Sequence, residues 1–216
     1  MNSDSARVGA ATPEPFTRAY RFAMSVCRPM AWWGRMRVEG LDSLSRSGPV
    51  LIVGNHDSHW DPVLIGMAAR PRRQIRALAK STLWKVPGLR PVLNGMGQIP
   101  ISRGAGDAGA LDRAIAELRA GTCIGVFPEG TISRGEVLRA RSGIARLALA
   151  APEAKVVLVA IDGGTDYVRF PKRPRVTARF FEPASGQPRP GEDPAELSAR
   201  LLAEVRALVA PIAAGR

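Results

Sequence analysis

Val50-Leu51-Ile52-Val53-Gly54-Asn55-His56-Asp57-Ser58-His59-Trp60-Asp61-Pro62 joins an apolar run, a polar turn and an Asp-Pro pair. The run predicts a buried strand over residues 49–54. Asp61-Pro62 predicts the start of a helix, since Asp is a favoured N-cap and Pro a favoured first helical residue. A strand followed at once by a helix is the repeating unit of an α/β domain. Both histidines of the chain, His56 and His59, fall in the turn between them, beside Asp57 and Asp61. Imidazole can act as a base near neutral pH, and a carboxylate on its second ring nitrogen fixes the tautomer and strengthens it. His56 and Asp61 are therefore a candidate dyad. On one continuous helix they would lie about 140° apart around the axis, so His56 must sit in the turn leaving the strand while Asp61 opens the helix. Plain helix capping by Asp61 accounts for the same pattern equally well.

Outward from this stretch, further strands are predicted at residues 75–79, 98–102, 123–127, 155–161 and 176–181. Helices are predicted at 62–69, 105–120, 142–150 and 195–209, the last after the Pro/Gly-rich loop 182–194. Strands alternating with helices predict a single α/β domain with a mixed, largely parallel sheet flanked by helices. An amphipathic helical segment, residues 14–38, precedes it and is expected to break near Pro29; residues 1–13 are small, polar and expected to be disordered. The domain then runs over 39–216.

The chain carries a formal charge of +12 and a sequence pI near 11.2, which calls for an acidic partner: nucleic acid, an anionic membrane or a phosphorylated substrate. Only four of the 31 basic residues are lysine, so part of the excess can reflect genomic base composition. The charge is uneven. No acid occurs between Pro15 and Val38, where arginines alternate with Phe16, Tyr20, Phe22, Trp32 and Trp33, nor between Asp61 and Asp107, where eight basic residues surround Trp84, Val86 and Leu89. Charge combined with apolar bulk suits an anionic membrane surface or an acyl chain; the alternative for 14–38 is a helix packed on the domain with a solvated basic face. No groove-reading nucleic-acid motif is present. Cys27 and Cys123 are isolated and read as packing residues of a reduced compartment. With no membrane-spanning run and no signal-peptide core, the expectation is a cytosolic or membrane-surface protein.

Other segments carry weaker signals. Gly97-Gln98-Ile99-Pro100-Ile101-Ser102-Arg103 delivers an arginine at a strand end, where its fork of donors can grip phosphate. Phe127-Pro128-Glu129-Gly130-Thr131 puts a carboxylate, backbone N–H groups and a hydroxyl where α/β folds place ligands. Gly104, Gly106 and Gly109 spell a dinucleotide-binding G-x-G-x-x-G, but the first glycine lags the strand and the strand contains Pro100. Gly54-Asn55-His56-Asp57 also matches the core of dinuclear metallophosphoesterase signatures. That chemistry needs further histidines from other loops, and the chain has none, so no metal is expected.

Taken in this order, the segments resemble the PlsC-type glycerolipid acyltransferase family, whose best-known members are 1-acyl-glycerol-3-phosphate acyltransferases. Asn55-His56 through Asp61 resembles its N-H-x4-D motif, Gly97 to Arg103 its second block, Phe127 to Thr131 its third and Lys155 to Ile161 its fourth, so the likeness runs from about residue 36 to 182. The resemblance implies acyl transfer from acyl-CoA or acyl-ACP, as co-substrate with no cofactor, to the free hydroxyl of a lysophospholipid, foremost 1-acyl-glycerol-3-phosphate. His56 would be the general base and Asp61 its orienting partner, with no acyl-enzyme. Arg103, Glu129, Gly130, Thr131 and Gly97 would hold the acceptor, Glu129 by orienting Arg103 or a hydroxyl. The expectation is a peripheral enzyme on the cytoplasmic side of the cell membrane, held on the bilayer by the acid-free stretches, with the acyl chain in an apolar groove near Trp84. The chain departs from the family pattern in three places. Ile132 stands where an arginine often follows the third block, for which Arg134 or Arg141 could compensate; Ser102 replaces a frequent aspartate, and Leu158 a usual proline. The other readings are a dinucleotide oxidoreductase using Gly104, Gly106 and Gly109, and a basic binding protein without catalysis. Oligomeric state is not legible.

Overall fold

A computed structural model of the chain describes residues 14–102, 107–168 and 173–212. Its centre is the strand opened by Val50. This strand, β2 (Val50–Gly54), is buried at every residue because it is paired on both edges and covered on both faces. It runs parallel to β5 (Cys123–Val126) on one side and β6 (Lys155–Asp162) on the other. A strand enclosed in this way reads as a continuous apolar run. With β1 (Arg37–Glu39), β3 (Arg76–Lys80), β4 (Ile99–Ile101) and β7 (Thr177–Phe181) the sheet has seven strands in the order β1-β7-β6-β2-β5-β3-β4. All neighbours are parallel except β6 and β7. The expected mixed, largely parallel sheet is present.

Alternation along the strands feeds two cores. Leu51, Val53, Ile124, Val156 and Leu158 face α5 (Ala108–Arg119), α6 (Gly143–Ala150) and α7 (Pro194–Ala207). Val50, Ile52, Val157, Val159 and Ile161 face α3 (Asp61–Ala69). Outside α3 lie α1 (Arg18–Val26) and α2 (Arg28–Trp33), joined through Tyr20, Met24 and Met67. The segment bends at Cys27 rather than at Pro29, which sits in the first turn of α2, where its missing N–H has no intrahelical acceptor to lose. Two elements went unanticipated. β1 is three exposed residues held by the edge of β7, and α4 (Leu89–Gly95) carries Pro91 and an Asn-Gly pair inside it.

Candidate active site

The carboxyl ends of β2, β5 and β6 meet, and the site is assembled from the turns that leave them. Asn55 fixes the first turn: its side-chain oxygen accepts from Ile161 N–H at 2.8 Å while its amide donates to Ile161 O at 2.9 Å and Asp57 Oδ2 at 2.8 Å. One amide thus locks the exit of β2 onto β6.

Asp61 is the first helical residue of α3, and its carboxylate turns backward. Oδ2 accepts from the N–H groups of Asp57 and Ser58, each at 2.7 Å, and lies 3.5 Å from His56 Nδ1. The helix itself receives no side-chain cap. Asp61 therefore organises the turn that carries His56, and the simple N-cap reading does not hold. At 3.5 Å the His56–Asp61 approach is longer than a formed hydrogen bond, and buried Nδ1 has no other partner; catalytic pairs are often this loose before substrate binds. Asp61 is 1% exposed. Burial raises its pKa above the ordinary carboxylate value, opposed by His56 and the two N–H donors. The imidazole stacks on Phe127, ring centroids 4.3 Å apart.

The main chain of His56 is held from both sides. Its N–H donates to Glu129 Oε2 at 2.7 Å, and its carbonyl accepts from Ser133 N–H at 2.7 Å. Below it, Arg206 of α7 donates through Nη1 to both oxygens of Asp57, at 3.0 and 2.8 Å, and through Nη2 to Glu129 Oε1 and, at 2.7 Å, to Ser133 Oγ. Ser133 Oγ donates to Asp57 in turn. Burial pushes Asp57 up, but Ser133, Asn55 and Arg206 more than offset this and hold it below the usual carboxylate range. Glu129 stays above its ordinary value because burial outweighs Arg206 and the His56 N–H.

Beside Phe127 opens a cleft of about 440 Å³ lined by Leu78, Ile101, Leu111, Val126, Ile144 and Leu147, with Arg141 and Arg146 also in its wall. That volume falls in the range of ligand pockets. Arg141 is fastened to the third-block turn: its N–H donates to Pro128 O at 2.8 Å, and a Cβ on Gly130 would lie 2.4 Å from its Cδ and Nε. Gly130 also has φ +65°, a backbone conformation that favours glycine. Among the described residues neither Arg141 nor Arg146 has a carboxylate partner. No group of His, Cys, Asp and Glu among the described residues is arranged to hold a metal ion.

A family model for acyltransferases matches residues 35–162. The chain belongs to the acyltransferase family. It is 34% identical over 133 residues to a 1-acyl-sn-glycerol-3-phosphate acyltransferase of Borreliella burgdorferi, covering 58% of this chain and 52% of that protein. It is 35% identical over 111 residues to a lyso-ornithine lipid O-acyltransferase of Pseudomonas aeruginosa, covering 51% and 41%. The chain thus spans about half the length of the curated relatives it matches. Its fold is shared with the crystal structure of the 1-acyl-sn-glycerophosphate acyltransferase PlsC from Thermotoga maritima, with a TM-score of 0.68 at 22% identity over 87% of this chain and 77% of that one.

Within this member of the acyltransferase family, the residues singled out from sequence separate into groups. His56, Asp61, Glu129 and Gly130 converge. Thr131 follows them and is exposed. Arg103, with Gly104 and Gly106, lies outside the described residues. Gly97 precedes the amino end of β4 and packs on the Arg76 side chain, whereas the site forms at carboxyl ends, so Gly97 does not reach the cleft. Glu129 has both oxygens engaged by His56 N–H and Arg206 and is 2% exposed; it shapes the turn and has no face left for an acceptor. Gly109 lies in the first turn of α5, which follows the sheet's edge strand, whereas a dinucleotide fingerprint follows a strand at the topological switch point. Trp84, in a short 3-10 turn, donates to Asn94 of α4 and lies outside the cleft, which runs between the sheet and α5 and α6. Arg206 was not anticipated, since nothing local distinguishes it from other helix-surface arginines.

Proposed function

We propose that this acyltransferase moves a fatty acyl group from a thioester, on coenzyme A or acyl carrier protein, to the free hydroxyl of a lysophospholipid, foremost 1-acyl-glycerol-3-phosphate. The observation that carries this reading is His56, 6% exposed, with Nδ1 toward Asp61 and its ring on the wall residue Phe127 of an apolar cleft. With Nδ1 facing the carboxylate, Nε2 is the nitrogen that takes the hydroxyl proton. The oxygen attacks the thioester carbonyl carbon, the tetrahedral oxyanion collapses with loss of the C–S bond, and the imidazolium returns the proton to the leaving thiolate. Transfer is direct, without an acyl-enzyme. General-base catalysis of this kind contributes about 10²–10⁴-fold, and holding both substrates in line contributes more.

The cleft takes the acyl chain of the donor, and Arg141, without a carboxylate partner among the described residues and seated on Gly130, takes a phosphate. It supplies the cation that Ile132 does not. The Borreliella relative supports a phosphate acceptor and the Pseudomonas relative a lyso-ornithine lipid. The enzyme works at the cytoplasmic face of the cell membrane, held there by the arginines of α1 and α2 and by Phe22, Val26 and Trp32, which project into solvent. Among the described residues no helix is long and apolar enough to cross a membrane. Thiol release from acyl-CoA and acyl-ACP, measured with lysophosphatidate, lyso-ornithine lipid or lysophosphatidylcholine in anionic vesicles, tests the reading. Release that depends on lysophosphatidate supports it; release only with lyso-ornithine lipid reassigns the acceptor, and no acceptor-dependent release refutes acyl transfer.

A further inference from the structure

We propose that Arg206 is a positioning residue for acyl transfer: its guanidinium joins Asp57 and Glu129, and through them fixes the main chain of His56. This deepens the acyl-transfer reading and rests on it for the kinetic effect. Arg206 lies in the last turn of α7, outside residues 35–162, which the family model matches, so nothing in the family motifs assigns it. Its two nitrogens serve different loops. Nη1 binds Asp57, on the turn after β2, and Nη2 binds Glu129, on the turn after β5. Each of those carboxylates belongs to the scaffold of His56. Glu129 accepts its N–H; Asp57 accepts from Ser133 Oγ, and the N–H of the same Ser133 binds the His56 carbonyl. Both carboxylates are buried, and among the described residues Arg206 is the cation paired with each.

The fork geometry is what a point charge cannot reproduce. Lysine could satisfy one loop and would leave the other carboxylate buried and unpaired, an unfavourable state. Docking of α7 does not depend on the guanidinium, because Leu197, Leu201, Leu202 and Val205 are buried in the core. Arg206→Met should therefore fold while losing the link between the two turns.

The experiment compares wild type, Arg206→Met and Arg206→Lys in the thiol-release assay below their melting temperatures, and records the imidazole NMR signals of each. The expected result is a kcat lowered about 10- to 100-fold in Arg206→Met, as a displacement near 1 Å produces, with KM for both substrates within about threefold, and partial recovery in Arg206→Lys. With only two histidines in the chain, a His59→Gln reference assigns the spectrum, and Arg206→Met should move the His56 signals and leave those of His59. Wild-type kcat together with an unmoved His56 signal in a folded variant overturns the proposal. Should Arg206→Met not fold, Arg206→Lys decides it on the same two readouts. An inactive wild type would refute acyl transfer, and the His56 signals would still decide whether Arg206 positions that residue.

Discussion

At the residue scale, the buried charge of Asp61 disfavours the folded state at neutral pH, and in the proposed mechanism the same charge orients His56. Its folded-state pKa lies above its ordinary value of 3.8, with burial the largest cause. The folded state therefore binds a proton more tightly than the unfolded chain. The contribution to stability is complete below pH 3.8 and is lost as pH rises through the raised value. Asp61→Asn removes the buried charge but keeps an oxygen for the Asp57 and Ser58 N–H groups, so its Tm at pH 7 should equal or exceed that of wild type. Its kcat should fall about 10²-fold or more. Thermal melts and kinetics on one preparation check both, and a lower Tm at wild-type activity would remove Asp61 from the mechanism. In the proposed mechanism Asp61 is ionised when it orients His56, so the acid limb of the wild-type profile should lie above the range of an ordinary aspartate. Arg141→Ala is expected to raise KM for a phosphate-bearing acceptor by about tenfold, in line with the loss of a charge-assisted hydrogen bond, with little change in kcat. An unchanged KM would take Arg141 out of acceptor recognition.

Among the elements, α5 and α6 set the width of the cleft, since Leu111, Ile144 and Leu147 face β3, β4 and β5 across it. Leu111→Trp should narrow it, lowering kcat/KM for long acyl donors by about tenfold while sparing short ones; an unaltered chain-length profile would move the acyl site elsewhere. The elements also show where sequence suffices. β2, β5 and β6 were legible because burial on both faces leaves unbroken apolar runs, and the His56–Asp61 pair because both residues fall within one short stretch from the end of β2 to the start of α3. β1 was not, because its three exposed residues carry no period and only pairing with β7 makes them a strand. α4 was masked by Pro91 and the Asn-Gly pair. The backward turn of the Asp61 carboxylate could not be told from a helix cap, because both use an Asp before a Pro. Arg206 is 149 residues from Asp57, in a chain with 27 arginines, and only the packing of α7 brings the two together.

For the molecule as a whole, a charge of +12 and apolar side chains projecting from α1 and α2 fit a domain held on an anionic bilayer. Phe22 is 64% and Trp32 73% exposed, and the guanidinium of Arg173 lies 4.9 Å from the centre of the Trp32 ring. Replacing both with serine should weaken co-sedimentation with anionic vesicles at least about tenfold, each large side chain contributing roughly 1.5–3 kcal/mol when buried. Turnover of short-chain substrates free in solution should be unaffected, and unchanged sedimentation would shift the membrane contact to another face. Added salt should weaken vesicle binding by the wild type as well, through screening of the arginines. The central claim is that His56 takes the proton of the acceptor hydroxyl as the thioester is attacked. It is tested most directly by single-turnover thiol release from acyl-CoA with saturating lysophosphatidate, comparing wild type with His56→Ala. A rate lower by about 10²–10⁴-fold in a folded His56→Ala variant, with donor binding retained, is expected; a rate within a few-fold of wild type would contradict it.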